Sequence, residues 1–242
     1  MGGGEPVLLL HAFPLSGAQW EPQIGALAER HTLLVPDLPG FGGSPAPAEP
    51  YTLDDVADSL AATLDRYRME RVAVCGLSMG GYVALAMLRR HPARLAKLVL
   101  ADTRATADTE QARAGREENA RLAETSGSAA IADKMLPTLL SPAAPPALAA
   151  HLRALIIASP PRGIALALRA MAQRPDSSDL LPTISAPTLV IVGADDALTP
   201  PDEARRMQAA IPGSQLTVIP GAGHIANMEQ PEAFSQALAG FL

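Results

Sequence analysis

Gly76-Leu77-Ser78-Met79-Gly80 is the segment whose residue types and spacing suit covalent chemistry. It follows the apolar run Arg71-Val72-Ala73-Val74-Cys75 and precedes a helix-like stretch from Tyr82 to Arg90. A strand that turns sharply into a helix presents one side chain at the apex. A glycine two residues to either side keeps a β-carbon from crowding that turn. Without the strand before it and the helix after it, Ser78 would read as an ordinary turn serine. With them it reads as a nucleophile. A serine hydroxyl is weak at neutral pH, so it needs a base within hydrogen-bond reach and an acid to orient that base.

His224 is the base that position favours. It closes Pro220-Gly221-Ala222-Gly223-His224 directly after the strand-like Gln215 to Ile219, at the strand edge where open parallel sheets place their sites. His31, His91 and His151 stand beside arginine, proline or alanine in polar or helical stretches and read as surface residues. His11 is the rival, because it ends the buried-strand run Val7-Leu8-Leu9-Leu10 at the same edge. Chain order opposes it, since a serine on such a turn draws acid and then base from later strands. The acid has three candidates. Asp195 and Asp196 follow the strand-like Thr188 to Val192 and Gly193, while Asp102 follows the strand Lys97 to Ala101. Spacing favours the Asp195-Asp196 turn, which runs into Thr199-Pro200, a helix N-cap followed by proline.

Five motifs in order resemble the α/β-hydrolase superfamily over nearly the whole chain. They are His11-Ala12-Phe13-Pro14, Asp37-Leu38-Pro39-Gly40-Phe41-Gly42-Gly43-Ser44, the serine turn, Gly193 to Pro200, and Gly221-Ala222-Gly223-His224. The resemblance implies Asp196 as the acid, third after the glycine. It also implies an oxyanion hole made by the backbone N–H groups of Phe13 and Met79. Ala12 stands where the family usually has glycine. The family normally has two antiparallel strands ahead of the first parallel one, and the sequence begins almost directly with that parallel strand. Within the superfamily the chain looks most like small capped carboxylesterases, 3-oxoadipate enol-lactonases and cofactor-free haloperoxidases or perhydrolases. Their triads are shared. The implied activity is hydrolysis of a small-molecule ester or lactone with no cofactor and no metal.

The elements that must position these residues alternate. Strand-like runs lie near 6–11, 32–36, 71–76, 96–102, 187–193 and 215–219, and helical stretches near 18–29, 53–66, 80–91, 200–211 and 230–241. That pattern is an α/β fold, a doubly wound, mostly parallel sheet. Residues 1–102 and 187–242 form the core. Between them, 103–186 loses its strands and shows Ala, Leu and Arg at helical spacing, interrupted by Pro137, Pro142, Pro145, Pro146, Pro160, Pro161 and Pro175. This is read as an inserted helical cap, with Ser141 to Ala150 as its hinge or loop. Trp20, Leu136, Leu140, Met171, Leu198 and Ile225 are the candidate substrate-pocket residues, with Met135, Leu139, Ile156, Ile157 and Leu168 also apolar in the cap. An enol-lactonase would need arginine or lysine in the pocket to hold a dicarboxylate; the cap's Arg104, Arg113, Arg116, Arg121, Arg153, Arg162 and Arg169 could serve, with a surface position the favoured reading for each.

Composition narrows the classes further. With 242 residues, 48% hydrophobic and 18% charged, the chain can bury one full core. A net charge of -6 and the lack of basic stretches interleaved with aromatics argue against a nucleic-acid partner. No apolar run is long enough to cross a membrane, and Pro6 stands where a myristoylation signal wants Ser or Thr. The single cysteine, Cys75, reads as a small buried hydrophobe and suits a reducing compartment, so a cytoplasmic location is expected. Gly40 to Gly43 lacks the spacing of a phosphate-binding loop and reads as a structural turn.

Overall fold

The computed structural model describes residues 4–242. Six strands form one sheet: β1 (Pro6–Leu10), β2 (Thr32–Leu34), β3 (Val72–Leu77), β4 (Leu95–Ala101), β5 (Thr188–Gly193) and β6 (Gln215–Ile219). Their spatial order is β2-β1-β3-β4-β5-β6, and every pairing is parallel. β3 and β5 are buried along their whole length, as strands covered on both faces must be, and that explains their unbroken apolar runs. β6 lies at an edge and is only partly covered, so its sequence alternates more.

Helices occupy the crossovers: α1 (Glu21–Ala28), α2 (Leu53–Arg66), α3 (Met79–Arg90), α7 (Pro201–Ala210) and α9 (Pro231–Phe241), with the short α8 (Ala226–Glu229) before the last. α2 starts at a reciprocal cap. Thr52 Oγ1 accepts from the Asp55 N–H at 3.1 Å, and Asp55 Oδ2 accepts from the Thr52 N–H at 2.7 Å. The chain winds outward from β1 to β2, then returns past β1 to β3. This reversal opens a crevice at the strands' carboxyl ends, between β1 and β3.

Between β4 and β5 lie three helices: α4 (Glu110–Leu139), α5 (Pro146–Ala158) and α6 (Pro161–Ala172). They correct the expected breaks in two places. Pro137 does not end α4, because it falls in the helix's last turn, and the chain bends instead at Gly127, with φ 81°. The stretch expected as a loop from Ser141 to Ala150 becomes helix at Pro146, since proline is well placed in a first helical turn. α6 is apolar almost all round and is buried through Ile164, Ala167, Leu168 and Met171. Its Gly163 lies against Gly40, where a β-carbon would come within 2.3 Å of the Gly40 carbonyl oxygen. Gly40 itself has φ 87°, so the glycine-rich loop serves as a turn that seats the helical insertion.

Candidate active site

Ser78 sits at the apex between β3 and α3 with φ 55° and ψ −112°, a conformation that side chains other than glycine rarely adopt. The turn closes only because its neighbours lack side chains. A β-carbon on Gly76 would stand 2.2 Å from the Gly80 carbonyl oxygen, and one on Gly80 would stand 2.1 Å from that of Leu10. The Ser78 N–H donates to Ala101 O at 2.9 Å, and Thr103 Oγ1 donates to Ser78 O at 2.8 Å, so the turn is tied to the end of β4.

His224 Nε2 lies 2.8 Å from Ser78 Oγ. His224 Nδ1 lies 2.9 Å from Asp196 Oδ2. All three side chains are buried. Asp196 Oδ1 also accepts from the N–H groups of Leu198 and Thr199 at 2.8 and 2.9 Å, and Thr199 Oγ1 donates to Oδ2 at 2.5 Å. Burial alone would raise the Asp196 carboxyl. The hydrogen bonds from His224 and Thr199 outweigh it and hold the carboxyl below its ordinary value. Thr199 therefore serves the carboxylate rather than capping the next helix, and Pro200 takes the N-cap position of α7 instead.

The competing residues are placed elsewhere. Asp195 is exposed, and its N–H donates to Ala222 O at 2.8 Å. Asp102 is fully buried, and its Oδ1 accepts from the Gly193 N–H at 2.7 Å. Burial, and then the nearby Asp196 charge, push the Asp102 carboxyl well above its ordinary value. His11 is also fully buried. Its Nδ1 lies 2.9 Å from Ala12 O, and its Nε2 accepts from the Leu38 N–H at 2.9 Å. Desolvation lowers its pKa to about 4, so it is a neutral ring that spans two loops.

The loop after β1 is held by side chains. Gln19 Oε1 accepts the Ala12 N–H at 2.8 Å, and Asp37 accepts from the Gly17 and Gly43 N–H groups at 2.8 Å each. Among the described residues, neither the Phe13 N–H nor the Met79 N–H has an acceptor within the protein. Met79 opens α3, where the helix dipole adds positive character.

A cavity of about 200 Å³ adjoins Ser78 and His224. Phe13, Met171 and Leu198 line it, together with Met135, Leu139 and Leu168. Trp20, Leu136, Leu140 and Ile225 do not. Trp20 is fully buried and packs on Phe234 at 6.0 Å between ring centroids. Ile225 is buried in the core beneath the His224 loop. Leu136 and Leu140 face a separate open groove beside Asp195. The periodicity of α4 explains this, because Met135 and Leu139 share one face of the helix and Leu136 and Leu140 the next. Tyr82, Arg104, Arg116 and Asn119 also line the Ser78 cavity, and of these Tyr82 and Asn119 were missed as pocket residues. The signal for Tyr82 was its place one turn into the helix behind Ser78. Arg104 and Arg116 were candidates for holding a dicarboxylate, although a surface position was the favoured reading for each.

Glu229 was missed as well. Its Oε1 accepts the Gly223 N–H at 2.8 Å and its Oε2 the Ser141 N–H at 2.9 Å. One carboxylate thus fastens the loop before His224 to the end of α4, and the His224 N–H donates to Leu139 O at 3.1 Å beside it.

A parallel sheet with a strained serine turn at its switch point, met by a histidine and a carboxylate from later loops, defines a site of the hydrolase type. Residues 5–231 match the family model described as alpha/beta hydrolase fold, and the chain belongs to that family. It is 32% identical over 226 residues to 3-oxoadipate enol-lactonase 1 of Acinetobacter baylyi, covering 92% of this chain and 83% of that relative. Among solved structures it is similar to a thermophilic esterase from Thermogutta terrifontis with malate bound. The TM-score is 0.96 and the identity 43%, over 99% of this chain and 90% of the other. The enol-lactonase from Burkholderia xenovorans LB400 superposes with a TM-score of 0.92 at 29% identity, over 99% and 92% of the two chains.

Proposed function

We propose that this protein hydrolyses small carboxylic esters through Ser78, His224 and Asp196, with an acyl-enzyme intermediate. The observation that carries the reading is the continuous contact from Ser78 Oγ to His224 Nε2 at 2.8 Å and from His224 Nδ1 to Asp196 Oδ2 at 2.9 Å. In this mechanism Ser78 Oγ attacks the ester carbonyl while its proton passes to His224 Nε2. The carbonyl oxygen takes the negative charge, and the Phe13 and Met79 N–H groups, which lack acceptors, are the donors that stabilise it. Collapse breaks the C–O bond to the alcohol, which leaves with the proton from His224. Water then attacks the acyl group by the reverse roles and frees Ser78.

Asp196 keeps the imidazole in the tautomer with its proton on Nδ1 and stabilises the imidazolium that forms. Residues 103–186 act as a cap in this reading, since α4 and α6 supply much of the cavity wall opposite the sheet. A cytoplasmic location fits one unpaired, buried cysteine. Lactone hydrolysis is the second reading, supported by the likeness to 3-oxoadipate enol-lactonase 1. It uses the same steps with the leaving alkoxide still tethered to the acyl group. A fluorophosphonate probe should label the protein at Ser78 and abolish hydrolysis of p-nitrophenyl esters, and Ser78→Ala should abolish both. Ester turnover that survives in folded Ser78→Ala would refute the mechanism.

A further inference from the structure

A chain of buried amides that the reaction steps leave unused runs from the loop after β1 to the loop of His224. Gln19, Gln23 and Asn227 are fully buried. Gln19 belongs to the short 3-10 turn Gly17–Trp20, Gln23 to α1, and Asn227 to α8, three residues after His224. Gln19 Oε1 accepts the Ala12 N–H at 2.8 Å. Asn227 Nδ2 donates to the Gln19 carbonyl oxygen and to Gln23 Oε1, both at 2.9 Å. Gln23 Nε2 donates back to Asn227 O at 2.9 Å and to Ser235 Oγ at 3.3 Å. Each amide meets at least one backbone group that only donates or only accepts, which fixes its orientation.

One end of this chain lies on the peptide that carries an oxyanion donor. A trans peptide unit points its C=O and N–H in opposite directions, so the bonds made by Ala12 O decide where the Phe13 N–H aims. Ala12 O accepts from the Leu15 N–H at 3.0 Å and from His11 Nδ1 at 2.9 Å. His11 Nδ1 carries the proton there, since Nε2 is the acceptor for Leu38. Gln19 holds the preceding peptide through the Ala12 N–H. With both flanking peptides bonded, the Ala12 backbone is set, and Phe13 lines the Ser78 cavity with its N–H free of any acceptor in the protein. The other end of the chain enters α8 just after His224. Gln19 and Asn227 thus join, across 208 residues of sequence, the loop of the oxyanion donor and the loop of the base. Packing alone gives no reason for amides here. Gln19 Nε2, Asn227 Oδ1 and Trp20 Nε1 are buried without a partner, and unpaired buried polar groups oppose folding.

We propose that Gln19 and Asn227 are positioning residues that hold the Phe13 N–H and His224 in fixed relation through one buried hydrogen-bond chain. This deepens the Ser78 mechanism and rests on it.

The test follows hydrolysis of p-nitrophenyl butyrate at matched folded fraction. Gln19→Met keeps the side chain's length and removes the acceptor for the Ala12 N–H. Its kcat should fall on the order of 10- to 100-fold, less than the loss of a whole oxyanion donor, while KM stays within about twofold. An alkyl trifluoromethyl ketone adds to Ser78 Oγ, passes the serine proton to His224 and places its oxyanion in the hole, so its affinity should fall by a similar factor. Gln19→Glu restores an oxygen acceptor and should recover most of the lost kcat. Asn227→Ala leaves the Ala12 acceptor in place and acts from the far end of the chain, so it reads the link even if Gln19→Met folds poorly. It should also lower kcat at constant KM. The double variant should lose little more than the worse single one, as for residues that act as a unit. Unchanged kcat and ketone affinity in both single variants would overturn the proposal, as would single losses that multiply in full. Wild-type protein that neither turns over the ester nor reacts with a fluorophosphonate would refute the Ser78 mechanism and this inference with it. Wild-type turnover that both substitutions leave intact would refute the inference alone.

Discussion

Asp196 and Asp102 are both buried carboxyl groups at strand ends, and their surroundings give them opposite tasks. Asp196 faces His224 and receives donors from Leu198 and Thr199, which keep it ionised. Asp102 meets the Gly193 N–H in a more thoroughly buried place, and burial pushes its carboxyl well above the ordinary value. Asp196→Asn should therefore lower kcat about 10⁴-fold, because the amide favours the wrong imidazole tautomer. Asp102→Asn keeps the side chain's shape at a group that bonds Gly193 and not His224 and should cost kcat far less, as should Asp195→Asn at an exposed position. The three variants are compared by ester turnover at matched folded fraction. A crippling loss in Asp102→Asn alone would move the acid to the end of β4. Residue types and spacing were enough to single out Ser78 and His224, because few positions end a strand with a nucleophile or base. They favoured the Asp195-Asp196 turn over Asp102, and the choice of Asp196 within it came from the resemblance. Which carboxylate reaches the imidazole depends on a loop path that local sequence does not encode.

At the scale of elements, the strands were legible because five of the six carry compact apolar runs between turn residues, and the sheet helices because their faces alternate. The insertion was less legible. Its prolines read as breaks, yet Pro146 starts a helix, where proline's missing N–H is tolerated, and Pro137 lies inside the last turn of α4. The face that α4 turns to the cavity was displaced by one residue for a similar reason, since both Met135/Leu139 and Leu136/Leu140 fit an apolar stripe. Nothing in the sequence marked Glu229, whose partners lie 6 and 88 residues away. Its two accepted bonds join α8, the His224 loop and the end of α4. Glu229→Gln keeps one acceptor and strands one N–H, so unfolding free energy should fall by about 1–3 kcal/mol. Denaturant titration reads that loss. Fluorophosphonate labelling of Ser78 should slow in the same variant, because His224 loses a constraint on its loop. Unchanged labelling together with unchanged stability would mean that the carboxylate only decorates the junction.

For the molecule as a whole, the net charge of -6 conceals local arrangements of either sign. The arginines around the cavity are one. The buried titratable groups that the chemistry does not use are another, and they govern stability against acid. His11 has its pKa lowered from 6.5 to about 4 by burial, so the native state binds no proton there over an interval where the unfolded chain does. By linkage, its contribution is intact above about pH 6.5 and is lost as pH falls toward 4, to an extent of roughly 3 kcal/mol. Asp102, raised by burial, acts in the opposite sense: its contribution is full below the unfolded carboxyl value and declines as pH rises toward its native value. Urea unfolding from pH 4.5 to 8 should separate the two. His11→Gln should be less stable than wild type at pH 7, since the ring's links to Ala12 and Leu38 are lost. It should also lose less stability between pH 6.5 and 4.5, because the group that resists protonation is gone. Asp102→Asn should leave that acid limb in place and be at least as stable as wild type at pH 8, where the wild-type chain bears the cost of a buried carboxyl. If His11→Gln instead runs parallel to wild type across the whole range, the acid sensitivity belongs to other groups, and His11 is a spacer between the loop after β1 and Leu38 without a role in pH response.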